Sequence, residues 1–564
     1  MEHVRLLLAI VLTIMVFVLW ELLFVPERPE MPPEAPEQTQ TEKSGQSSDS
    51  RDRQQADEEK KSDQAGGEKT GDRDSTDSAG VPAKQFNTIS VEHELYRAEF
   101  AEKGAAVKRF VLRDYRVGPE EDASPRVLVS EENEEGTALV RFAGTGLPDT
   151  SEAIFTTDSD TDSLRIGDEA ETLSFYWQNE DGLVMEKRYR FHPDSYKIDL
   201  SVNIVNNSDR AVPSELFLDM TNPPPTGRTF VFQGPFAYID GDLEEVDVDD
   251  IGDKSSYPGS VKWSAIGDRY FMTALVPKET VDTEIRLSRD NNDDLVRISY
   301  LQPGGSIGSG SSREFEYELF MGPKRMSELK SFGRDLDEAI NFGFFDIIAK
   351  PCLWLMNKIH DNVVSNYGVA IILLTIVFKI IFWPLGSKSY RSMAEMKKLQ
   401  PLMTEIRNKY KDDKKKMNEE VMRLYKTYKV NPMSGCLPMV VQIPVFIAFY
   451  RMLYGAIELR HAPFMLWIND LSSPDRLFSF DVTIPFMAPP YGIPVLTIIM
   501  GATMFLQQKL SPPPGDPSQA RIMMFMPLIF TVIFINFPAG LVLYWLTNNV
   551  FSIAQQYYVT RKIV

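Results

Sequence analysis

The chain has 564 residues, with 60 Lys+Arg against 80 Asp+Glu, a formal net charge of −20, and only two cysteines. That length holds several domains, and so acidic a body disfavours nucleic-acid binding, which needs cationic surface. The charge is split: residues 25–367 carry 38 Lys+Arg and 67 Asp+Glu, whereas 368–564 carry 21 and 11.

From the N-terminus, Arg5 precedes the apolar run LLLAIVLTIMVFVLW. The run is longer than a signal-peptide core and no A-x-A site follows it. Residues 1–25 are therefore expected to form an uncleaved anchor helix with a cytoplasmic N-terminus. Pro26 to Gly80 contains no aromatic residue and no Ile, Leu or Val. It cannot bury enough apolar surface to offset ordering entropy, so 26–80 reads as a disordered acidic linker.

Residues 84–325 read as β-structure. LSFYWQ (173–178), LVMEKRYRF (183–191) and KIDLSVNIV (197–205) are alternating or β-rich, and Asp181-Gly182 marks a hairpin turn. Glu314 to Leu319 alternates strictly, with one charged and one buried face. Many short strands with turn signals predict a large β-sandwich. The Gly/Ser stretch Pro303–Ser312 lacks the Lys-Ser/Thr ending of a phosphate loop. Residues 326–366 read as connecting helices, of which FFDIIAKPCLWLMNKIH (344–360) is amphipathic. It would lie along a membrane interface or pack as an ordinary helix.

Membrane spans are expected at 368–386, 434–455, 491–509, 521–537 and 540–558. A loop over 456–490 would face the periplasm; the segments 510–520 and 559–564 would face the cytoplasm. The 387–433 loop carries 13 Lys+Arg against 6 Asp+Glu, which makes it cytoplasmic by the positive-inside rule. Met393, Met396, Leu399, Met403, Ile406 and Tyr410 recur at helical spacing, as do Met417, Val421, Leu424 and Tyr428. Two antiparallel helices follow. Cys352 and Cys436 fall on opposite faces and neither has metal-ligand neighbours, so both read as packing residues.

Lys379 interrupts VAIILLTIVFKIIFWPL, at about 2.5–3.5 kcal/mol on insertion scales. Thr375 lies one turn earlier on the same face. The other spans hold Gln442, Gln508, Asn536, Tyr544, Asn548 and Gln555. Two readings stand. These groups meet in a hydrated groove with one positive charge, or they tie helices together while Lys379 snorkels to the interface. No metalloprotease or Walker motif is present, and GGSIG (304–308), which matches G-x-S-x-G, lies in the Gly/Ser stretch Pro303–Ser312. An intramembrane protease using Lys379 as base would need a serine, and Ser387 and Ser365 are poorly placed. A membrane-anchored sugar sensor would account for the β region but not for the polar core.

The stretch NPMSGCLPMVVQIPVFIAFYRMLYGAIELRHAPFMLWINDLS (431–472), with FPAGLVLYWLTNNVFSIAQQ (537–556), resembles the YidC/Oxa/Alb family of membrane protein insertases, of the Gram-negative type. The resemblance implies an α-helical membrane bundle, anchor plus five-helix core, with a periplasmic β-supersandwich similar in fold to sugar mutarotases. It implies a non-enzymatic, cofactor-free inner-membrane protein. That protein would insert nascent membrane proteins into the bilayer, alone or beside the Sec translocon, with the ribosome as a further partner. Relatives keep a positive residue, usually Arg, in a groove open to cytoplasm and lipid. Lys379 stands at that position, with the charge but not the planar fork. Tyr544 or Trp545 matches an aromatic position that contacts substrate, and Asn536 stands where an aromatic is expected.

Overall fold

The computed structural model describes residues 87–120, 122–130, 132–144, 147–157, 162–225, 231–252, 254–290, 295–428, 430, 437–511 and 517–563. The expected anchor, the acidic linker and Cys436 lie outside the described residues.

The β region forms a five-stranded and a thirteen-stranded sheet with one small two-stranded ribbon, and a second ribbon lies among the helices, at 477–493. In the larger sheet, strand Lys197–Asn206 pairs antiparallel with Leu183–Phe191 on one side and Ser311–Pro323 on the other. The alternation of Glu314–Leu319 is followed in part: Phe315, Tyr317 and Leu319 are buried and Glu314 and Glu316 exposed, but Glu318 is buried as well, where it accepts from Lys197. The two sheets share one core. Phe100 of the smaller sheet packs against Tyr189 and Phe191 of the larger, at 4.8 and 5.5 Å between ring centres.

One charge sits inside that core. Lys187 falls on the inward face of its strand and is fully buried. Its ammonium donates to the carbonyls of Gly104 (3.0 Å), Ala105 (2.9 Å) and Ala138 (2.9 Å). Gly104 and Ala105 have positive φ, 66° and 44°, and their turn carbonyls are left for a donor from the opposite sheet. Burial pushes the Lys187 ammonium down to about 7, although all three of its donors are matched.

The helices follow. Helix α1 is Met326–Phe332, α2 Asp346–Asn362, α3 Tyr367–Lys409 and α4 Lys414–Thr427; α5 is Leu437–Gly455, α6 Val495–Leu510, α7 Pro517–Phe534 and α8 Ala539–Ile563. Helix α2 buries Ala349, Cys352, Leu353, Met356 and Ile359 on one stripe and leaves Ile347 and Trp354 exposed. This is the expected amphipathic pattern, and Cys352 is a buried packing residue.

Helix α3 starts at an Asn366 cap, whose side chain accepts from the Val369 N–H. It runs 43 residues without a break, through Pro384 and Pro401. The expected span and the first helix of the basic hairpin are thus one helix. Its C-terminal half buries Leu399 and Met403 and meets α4 through Tyr425, whose hydroxyl lies 3.4 Å from the Met403 sulfur. Among the described residues, α3 is the one helix long and apolar enough to cross a membrane by length and hydropathy alone. Val495–Leu510 and Ile522–Phe534 are apolar but shorter.

The β region rests on the end of the bundle that carries Tyr367 and Gly455. Arg269 donates to the Tyr454 carbonyl at 2.6 Å and stacks over its ring at 3.6 Å. Arg460 donates to the Arg116 carbonyl.

Candidate functional site in the helical bundle

The last helix organises the bundle. Asn548, Ser552 and Gln555 recur at i, i+4 and i+7 on α8, which places them on one stripe. That stripe faces α3. The Lys379 ammonium donates to the Ser552 hydroxyl at 2.7 Å. Ser552 in turn donates to the Asn548 carbonyl at 2.7 Å. The Gln442 amide of α5 donates to the Asn548 side-chain oxygen at 2.9 Å and also bonds Tyr544. One turn further on, Gln555 donates to the Trp383 carbonyl at 2.9 Å and to the Ser387 hydroxyl at 3.2 Å. Gly386 permits that approach, because a Cβ there would stand 2.9 Å from the Gln555 amide nitrogen. A second stripe, Asn549 and Gln556, faces α6. Asn549 donates to the Thr503 hydroxyl at 3.3 Å.

Lys379 is half-buried, and no carboxylate among the described residues pairs with it. The sequence explains why. Residues 367–386 of α3, and all of α5, α6, α7 and α8, contain no Asp or Glu. The charge is therefore held by a hydroxyl dipole and left uncompensated. Unpaired charge in a low-dielectric bundle exerts a strong field on whatever enters beside it.

An aromatic cluster lies nearer the N-terminus of α8. Tyr544 stacks on Phe449 at 4.7 Å, and Phe378 meets Phe449 edge-on at 5.1 Å. Trp545 packs against Phe446 at 4.7 Å and Phe534 at 5.1 Å. Going along α8 from residue 544 to 555, the lining changes from aromatic to amide and hydroxyl. The arrangement presents ammonium, hydroxyl and amide groups that can solvate polar groups and attract negative ones. The Ser552–Lys379 contact is not set for nucleophilic attack, because the hydroxyl donates to the Asn548 carbonyl and not to the amine, and no group of His, Cys, Asp or Glu among the described residues could hold a metal.

Of the residues singled out from sequence, Lys379, Gln442, Tyr544 and Asn548 come together. Thr375 is buried one turn from Lys379, with its hydroxyl spent on the Ile371 carbonyl at 2.7 Å. Trp545 turns toward α7, with its indole N–H buried and unpartnered. Gln508 is half-buried near the end of α6 and takes no part in the Lys379 network. Asn536 lies beyond the end of α7, where it bonds the loop backbone at Phe486 and Ala488. Ser552 is absent from the residues expected from sequence, although a serine four residues after Asn548 is the available signal, and Ser387, set aside there as a protease nucleophile, instead accepts from Gln555.

Comparison with known proteins agrees with this division of the chain. Residues 88–355 match the YidC periplasmic domain model, and residues 359–564 match the 60Kd inner membrane protein model. A membrane protein insertase YidC from Syntrophus aciditrophicus is 42% identical over 84% of this chain and 85% of its own length. Another, from Pelobacter propionicus, is 38% identical over 99% of both chains. A solved structure of an active YidC insertase covers 84% of this chain and 93% of its own, at 20% identity and a TM-score of 0.37. The activity named for these relatives is insertion into a membrane, not covalent catalysis. With a periplasmic domain followed by a helical membrane part, and with relatives of this identity over nearly its whole length, the chain belongs to the YidC family of inner-membrane protein insertases.

Proposed function

We propose that the chain carries nascent transmembrane segments from the cytoplasm into the bilayer through a polar, lipid-open groove centred on Lys379. It would act alone or beside the Sec translocon, with five core spans and an N-terminal anchor and with both termini in the cytoplasm. The observation that carries this is the Lys379 ammonium, bonded to Ser552 and facing no carboxylate. A segment with few charges enters from the side of the basic hairpin, which offers the first contact to substrate or ribosome. Its acidic or polar flank is drawn to Lys379 and solvated by Asn548 and Gln442, which lowers the expense of taking polar groups partway into hydrocarbon. The aromatic cluster stops leakage. The apolar helix then leaves sideways into lipid, driven by apolar transfer and the membrane potential.

The test is crosslinking of a ribosome-stalled single-span substrate to photoreactive residues at 379 and 552, with position 503 on the α6 side of α8 as a comparison. Adducts concentrated at 379 and 552 are expected. Equal labelling at all three positions would remove the groove.

A further inference from the structure

The segment between α5 and α6 forms a small antiparallel hairpin, Leu477–Ser479 paired with Gly492–Ile493. It holds large apolar side chains outward: Phe478 is 71% exposed, Val482 66% and Phe486 82%. Phe478 and Phe486 both have positive φ, 53° and 65°, which bulky L residues seldom adopt. The rings are thus displayed by a particular backbone shape rather than by slack.

That shape is held firmly. Arg476 donates to the Pro490 carbonyl at 2.9 Å and to the Asp475 and Ile535 carbonyls at 2.8 Å each. Asn536 donates to the Phe486 carbonyl and accepts from the Ala488 N–H, both at 2.8 Å. Asp475 is buried, accepts from the Trp467 indole and caps α6 through the Leu496 N–H, both at 2.5 Å. The frame ties the hairpin to the adjoining ends of α6 and α7.

The position of the hairpin selects what covers it. It lies in the same loop as Arg460 and Phe464, which meet the β region and the start of α3, so it is on the periplasmic side. Its apolar surface leads directly into α6, where Ile498 and Ile499 are exposed. Contiguous apolar exposure of this kind marks a partner or a membrane, and here it continues the outer surface of the spanning helices. Helix α7, 18 residues long, rises only about 27 Å, short of the roughly 30 Å hydrocarbon core. The hairpin is clamped just beyond its end, at Ile535.

We infer that the hairpin 477–493 is a wedge whose Phe478, Val482 and Phe486 side chains enter the periplasmic leaflet among the lipid acyl chains. The exposed carboxylate of Asp481 keeps the wedge shallow, at headgroup depth. The wedge thickens the protein's apolar belt where α7 is too short to span.

The test uses the full chain with Cys352 and Cys436 replaced by Ala, in phosphatidylethanolamine/phosphatidylglycerol vesicles. A nitroxide is placed at position 478, 486 or 117, the last an exposed site in the β region. At 478 and 486, collision with oxygen relative to a water-soluble nickel chelate is expected to be several-fold higher than at 117. Ratios equal to that at 117 would place the rings in water and overturn the wedge. Shielding from both reagents would mean that protein, a partner or a second copy, covers the hairpin, and would overturn it equally. Adding Asn536→Ala with Arg476→Ala should lower the ratio at 486 while circular dichroism stays unchanged.

Discussion

Lys379 and Ser552 face each other across α3 and α8, with the ammonium donating to the hydroxyl at 2.7 Å, and Ser552 in turn donates a hydrogen bond to the Asn548 carbonyl. Among the described residues, the serine hydroxyl accepts from a charge that no carboxylate balances.

Replacing Lys379 with Ala should lower the insertion of single-span substrates with acidic translocated tails by about tenfold, since roughly 1.4 kcal/mol of lost attraction is a factor of ten. Substrates with neutral tails should change little. Lys379→Arg keeps the charge and should insert normally. Protease protection in reconstituted vesicles reads all three. Full activity of the alanine variant would dismiss the charge as a working part.

Ser552→Asp places a carboxylate at hydrogen-bond distance from Lys379. It keeps the pocket polar while neutralising the charge, so it should reproduce the Lys379→Ala defect. Ser552→Ala should leave tail selectivity in place and lower stability by about 1 kcal/mol, the worth of an ordinary hydrogen bond. If the aspartate variant inserts acidic tails as well as the parent, hydration rather than charge governs the pocket.

Gly386→Val should lower the thermal midpoint in micelles by several degrees. Its side chain would collide with the Gln555 amide, and overpacking of this kind costs about 1–3 kcal/mol. Gln555→Ala in the same background should recover part of the loss, because it empties the space the valine needs.

Lys187 makes the β region's stability depend on pH. Its folded-state value is about 7 against an ordinary 10.5, so between those values the unfolded chain binds a proton that the folded chain does not. Stability therefore rises as pH rises through that window, with a slope approaching ~1.4 kcal/mol per unit, and the penalty is complete below about pH 7. The urea midpoint of the β-sheet signal in micelle-solubilised protein should increase from pH 7.5 to 9.5. Lys187→Met should flatten the increase.

Much of the fold can be read from residue pattern. Glu314 to Leu319 alternates because one face is buried against the other sheet, and the polar stripe of α8 is visible in the spacing of Asn548 and Gln555. Two features escape that reading. Asn536 sits at the end of an apolar run and looks like a groove residue, but α7 ends at Phe534, and two residues past a helix end an amide bonds loop backbone instead. Lys187 lies in a strand whose charged residues otherwise point outward, and only the left-handed turn at Gly104–Ala105, contributed by another sheet, gives its ammonium acceptors. Both depend on tertiary placement, which local periodicity does not encode.

The unbroken α3 has a mechanical meaning. At about 1.5 Å per residue, its 43 residues span ~65 Å, with Lys379 near one third of that length and the basic hairpin at the far end. Pro384 and Pro401 each remove one backbone hydrogen bond between them. Under the proposed function, a nascent chain pressing on the hairpin would load a long lever with two soft joints, the nearer of which lies five residues from the charge.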